Sequence, residues 1–129
     1  MSDGPLTAKV LDFTHTLEGL VVDGEPPGDW APLAAFVAVD EFERVGTFHE
    51  VQDWQHYTAM LTQWASSVDK FETSVQRITE AANLVFYEIE ERHHRRGGTQ
   101  VVYSMTVFEF DEHGKIRGLN VYLQQGREA

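Results

Sequence analysis

The residues of this chain best placed for acid/base chemistry fall in Val85-Phe86-Tyr87-Glu88-Ile89-Glu90-Glu91-Arg92-His93. Along an extended strand, side chains alternate between the two faces, so the apolar set reports the inward one. Val85, Tyr87 and Ile89 form that set, and the same register carries Glu91 and His93 inward while Glu88, Glu90 and Arg92 point out. Residues two apart on a strand have Cα atoms about 6.5 Å apart. A carboxylate and an imidazole at that spacing can share a ligand or a water, and proton transfer to or from a bound molecule is the chemistry they offer. The alternative is that both lie at a wet rim beside the Arg95 to Thr99 turn and do nothing chemical.

The strand that follows places Val102, Ser104, Thr106 and Phe108 on one face, and Leu119, Val121 and Leu123 continue the pattern on the next. With the Tyr87, Ser104 and Thr106 hydroxyls interrupting it, this wall is mostly apolar, which is how binding pockets are composed. A helical stripe of Trp54, Tyr57, Leu61, Trp64 and Val68 reads as core, with Trp54 and Tyr57 as candidates to line the cavity from one end. Tyr122 alternates away from it. Six histidines include no His-x-x-x-His pair with a matching third ligand, so no metal is expected. No cofactor is expected either, since no glycine-rich phosphate loop follows any strand.

These residues must be positioned by one domain. The 129 residues, 42% of them hydrophobic, suffice for a single core without staples, and residues 1–129 are read as one unit. Leu6, Val10, Phe13 and Leu17 mark a first helix near residues 5 to 20, with Pro5 in its first turn. Asp29 is placed to cap a second, shorter helix carrying Trp30, Leu33 and Val37 inward. An extended piece runs from Phe42 to Phe48, and a third helix is expected to start near Glu50. From Phe71 the period changes to two, predicting strands at about 71 to 81, 84 to 94, 100 to 111 and 115 to 124, joined as consecutive hairpins. Helices first and strands afterwards predict an α+β fold: three N-terminal helices packed on a curved antiparallel sheet.

With 10 Lys and Arg against 21 Asp and Glu, the formal net charge of -11 disfavours nucleic acid and anionic membranes as partners. The basic cluster Arg92-His93-His94-Arg95-Arg96 precedes Gly97-Gly98 and reads as a solvated hairpin end. There is no cysteine, which fits a cytoplasmic location. No basic leader opens the chain and no run of about 18 apolar residues occurs, so a soluble, unprocessed protein is expected. Phe86, Tyr103, Met105, Val107, Ile116 and Tyr122 alternate toward the outer face, and that much apolar surface predicts a homodimer through it.

The first amphipathic helix, the Trp-containing second helix leading into Phe36-Val37-Ala38-Val39-Asp40-Glu41-Phe42, and the closing Val107-Phe108-Glu109-Phe110-Asp111-Glu112-His113-Gly114-Lys115-Ile116 together resemble the NTF2-like superfamily, including its SnoaL-like, ketosteroid-isomerase-like and limonene-epoxide-hydrolase-like members. The resemblance covers nearly the whole chain, rests on the order and spacing of these segments, and implies a cone-shaped fold around an apolar pocket. Matched to ketosteroid isomerases, their carboxylate base, helix tyrosine and strand acid fall on Val45, Phe13 and Thr106, so that constellation is missing, although Val45 then becomes a pocket candidate. Matched to limonene epoxide hydrolases, their arginine and two aspartates fall on Ile89, Glu91 and Val121, so one acid survives. Two functions follow. One is a small hydrophobic-molecule-binding protein acting as an isomerase, cyclase or hydratase through Glu91 and His93, with Ser104 and Thr106 orienting the substrate. The other is a non-catalytic dimeric accessory or protein-interaction module.

Overall fold

The computed structural model describes residues 4–124. Helix α1 spans Pro5–Leu20, with Pro5 in its opening turn and Val10, Phe13, Thr14 and Leu17 buried along one side. Its N-terminus is closed from a distance: the Glu80 carboxylate accepts from both the backbone N–H of Thr7 (2.8 Å) and its hydroxyl (2.9 Å), which satisfies donors a helix leaves open. Helix α2 is a single turn, Ala31–Ala34. That is shorter than the sequence suggests, because Asp29 accepts from Ala31 N in a local turn and Trp30 takes the capping position. Trp30, Leu33 and Val37 are nevertheless all buried.

Strands β1 (Glu43–Val45) and β2 (Val51–Gln52) come next and form a short hairpin. The expected helix start near Glu50 is therefore corrected. His49 takes a positive φ of 63° and the Glu50 carboxylate folds back onto the Phe48 N–H at 2.9 Å, turning the chain into β2. Helix α3, Trp54–Ala65, begins only after Asp53, whose side chain accepts from His56 N, the usual capping geometry. Four long strands follow: β3 (Lys70–Ala81), β4 (Leu84–Arg95), β5 (Gly98–Phe110) and β6 (Ile116–Gln124).

The sheet order is β2-β1-β6-β5-β4-β3. It is mixed, because β1 lies parallel to β6 with Arg44 opposite Leu119 and Val45 opposite Asn120, whereas hairpins alone predict only antiparallel neighbours. Irregularities in register between Val75 and Arg77 and between Glu109 and Phe110 bend and twist the strands locally. The Asp111 to Lys115 turn is closed by Asp111, which accepts from the His113 and Lys115 N–H groups, with Gly114 at φ 76°. Helices α1 and α3 contribute Phe13, Leu17, Tyr57 and Leu61 to a core shared with Val85, Tyr87, Ile89, Phe108 and Leu119 of the sheet. Ile116 is fully buried there, which corrects its assignment to the outer face; its N–H and C=O bond to Phe36 and Ala38 and hold it against that segment. Among the described residues no helix is long and apolar enough to cross a membrane.

Candidate functional site

Between α1, α3 and the inner face of the sheet lies a cavity of about 450 Å³. Its walls are largely apolar. Phe13 and Leu17 come from α1, Met60 and Leu61 from α3, Ile89 from β4, Phe108 from β5, and Leu119, Val121 and Leu123 from β6. Volumes of this size fall within the range of small-molecule sites.

The polar groups of this wall are organised around Glu91. Its Oε1 is bonded to His93 Nε2 at 2.8 Å, and its Oε2 accepts a short bond from the Ser104 hydroxyl. On the other side of the imidazole, the Trp64 indole N–H donates to His93 Nδ1 at 3.1 Å. An indole nitrogen only donates, so Nδ1 must accept and the imidazole proton resides on Nε2, where it is given to Glu91. Trp64 and Phe71 pack edge-on to each other at 4.9 Å between ring centroids and both lie against the His93 ring. The histidine is thereby fixed in tautomer and in place. With both ring nitrogens engaged, His93 holds the carboxylate in place.

Tyr57, from α3, turns its ring toward Arg44, whose Cζ lies 5.7 Å from the ring centroid. Burial pushes the Tyr57 phenol up to about 12, with the Arg44 charge opposing that rise and the Glu91 charge adding to it. It is therefore a neutral donor at any ordinary pH. Burial also raises the Tyr87 phenol, against the Thr14 and Thr73 hydroxyls that face it; Thr73 in turn donates to Glu18.

Of the residues singled out from sequence, Glu91, His93, Tyr57, Tyr87, Thr106, Phe108 and Val121 all line this cavity. Ser104 is buried behind Glu91, 6% exposed, and supports it without lining the cavity. Val45 and Trp54 do not line it. Val45 shares a register position with outward Asn120, and Trp54 packs on Phe42 and Tyr57, at 5.2 and 5.8 Å between centroids. Arg44 occupies the place expected of Val45. Alternation from Phe42, 4% exposed, would have found it, since residues two apart share a face. The Trp64 N–H had no sequence signal, as its partner lies 29 positions away. Among the described residues no group of three or more His, Asp or Glu is arranged to hold a metal ion.

No family sequence model and no curated protein sequence matches the chain. Its architecture does match solved structures. An NTF2-like protein of unknown function from Cytophaga hutchinsonii superposes with a TM-score of 0.69 at 15% identity, covering 95% of this chain and 93% of that one. A candidate SnoaL-like polyketide cyclase from Jannaschia sp. CCS1 gives 0.71 at 11% identity, with 96% and 91% covered. A LEH-like epoxide hydrolase from M. tuberculosis gives 0.69 at 19% identity, with 91% and 80% covered. The chain thus has the NTF2-like fold.

Proposed function

We propose that this protein binds a small, largely apolar molecule bearing a carbonyl and moves a proton on it, as an isomerase, cyclase or hydratase does. The observation that carries this reading is the Glu91 carboxylate in an apolar cavity, held by the Ser104 hydroxyl and by a histidine whose tautomer Trp64 fixes. Such a carboxylate is oriented before substrate arrives, so little reorganisation is left for the reaction. Glu91 takes a proton from the carbon beside the carbonyl. The C–H electron pair passes into an enolate whose oxygen accepts a hydrogen bond from the neutral Tyr57 hydroxyl. Return of the proton to a second carbon completes an isomerisation; in a cyclisation the enolate carbon attacks a second carbonyl, whose π electrons pass to its oxygen, and that alkoxide takes the proton from Glu91 as the ring closes. The description of one fold neighbour as an epoxide hydrolase and of another as a candidate polyketide cyclase agrees with this class, although at their low identity they support the fold and not the chemistry. The active species is a homodimer joined through the outer sheet face, where Val101, Tyr103 and Tyr122 stand 44%, 38% and 56% exposed.

The test is Glu91→Gln, which keeps the side-chain shape and removes the base. Turnover of a substrate found by ligand screening should fall by about 100- to 10,000-fold, the usual worth of a positioned acid/base group, while Kd stays nearly unchanged. Undiminished turnover in that variant would remove Glu91 from the reaction.

A further inference from the structure

Proton transfer at Glu91 leaves Arg44 unexplained. It stands on β1 opposite Leu119, and that row of the sheet continues through Phe108 and Val85, none more than 3% exposed. The Arg44 side chain is itself only 13% exposed. A guanidinium carries five N–H donors in a planar fork. Among the described residues its hydrogen bond goes to the neutral amide oxygen of Gln52, at 2.9 Å. The nearest carboxylate, Glu50, stands 4.0 Å away, is nearly half exposed, and is turned onto the Phe48 N–H. The Tyr57 ring adds a cation–π attraction but no countercharge. A cation withdrawn this far from water is costly without an anion at close range. Among the described residues Glu50 is the one carboxylate that pairs with Arg44, and at 4.0 Å it makes no hydrogen bond to the guanidinium. Nor are the spare donors sealed in: among the described residues no buried side-chain nitrogen or oxygen lacks a partner, and Arg44 lines the cavity.

Glu91 is not paired with it among the described residues: its carboxylate is engaged with Ser104 and His93, and it stands on β4, with β5 and β6 between it and β1. Arg95, the other cation on the wall, belongs to the exposed hairpin end, where it donates to Gln100.

We propose that Arg44 anchors an anionic end of the ligand, so that the molecule this cavity selects is an elongated apolar carboxylate whose other end reaches toward Glu91. The carboxylate would take two parallel N–H bonds from the guanidinium, the pairing that makes arginine the preferred partner of planar anions. This rests on the reading that the cavity binds an apolar molecule, and adds to it the charge and the orientation of that molecule.

The experiment measures binding of octanoate and of octanamide, matched in size and differing in charge, by calorimetry on the wild-type protein and on Arg44→Gln and Arg44→Lys. Expected are octanoate binding at least about tenfold tighter than octanamide, the affinity step that one charged contact supplies, loss of that preference in Arg44→Gln through weaker octanoate binding, and its partial return in Arg44→Lys. Equal wild-type affinities would overturn the assignment of an anion to Arg44 while leaving the apolar cavity as a binding site. A preference that survives Arg44→Gln would place the anion elsewhere and equally overturn it. If neither compound binds, both the anchor and the apolar-cavity reading fall together. The wild-type comparison needs no variant, so a misfolded Arg44→Gln cannot shelter the proposal.

Discussion

At the scale of single residues, the site is a chain of donors ending on one carboxylate: Trp64 N–H to His93, His93 N–H to Glu91, Ser104 O–H to Glu91. Trp64→Phe would keep the ring packing on Phe71 and remove one N–H. Nitrogen NMR of wild-type His93 should report the Nε2–H tautomer alone, and the variant should show both tautomers with slower turnover and little change in Kd. A wild-type spectrum of mixed tautomers would contradict the role given to Trp64. Glu91 and His93 were legible in the sequence because strand alternation is a local rule. Arg44 is less legible, because the match to a relative's motif points to Val45 while the parity of Phe42 points one residue earlier. Ser104 was read correctly as inward-facing, but which side chains lie on the cavity surface and which lie behind them depends on packing depth, and alternation carries no information about depth.

Elements set the positions of these residues. Helix α3 carries both Tyr57 and Trp64, and its start is fixed by Asp53, which accepts from the His56 N–H and pairs with the His56 ring at 2.6 Å. Those bonds hold the Asp53 carboxyl below its ordinary 3.8. Its folded value is depressed, so its contribution is complete above the unfolded value and is lost as pH falls through the folded one. Asp53→Ala should lower Tm by a few degrees at neutral pH, and the gap from wild type should narrow steadily below about pH 4. A gap independent of pH would mean the cap acts other than through its charge. The long strands were legible from their period of two. The parallel pairing of β1 with β6 was not, since it joins residues some 75 positions apart (43 paired with 118) and three-residue strands carry almost no periodic signal. The late start of α3 carries no periodic signal for a related reason: the turn that delays it is made by a side chain folding back on its own backbone.

For the whole molecule, the inner face of the sheet serves the cavity and the outer face carries apolar surface of its own, with exposed Val101, Tyr103 and Tyr122. Sedimentation at micromolar concentration should give a dimer, and Tyr103→Glu combined with Tyr122→Glu should give a monomer of unchanged helix and strand content. A monomeric wild type would remove the outer face from the account. Ile116 departs from this face because it follows the Asp111 to Lys115 turn, where the alternation restarts, and it is fully buried. The inner-face cavity is tested most directly by a thermal-shift screen of the purified protein against terpenoid epoxides, aromatic polyketides, 3-keto steroids and medium-chain fatty acids, since a ligand that binds only the native state must raise its apparent stability. A reproducible rise in Tm confined to one chemical class is the predicted result. No rise with any class would contradict the assignment of the cavity to a small apolar molecule.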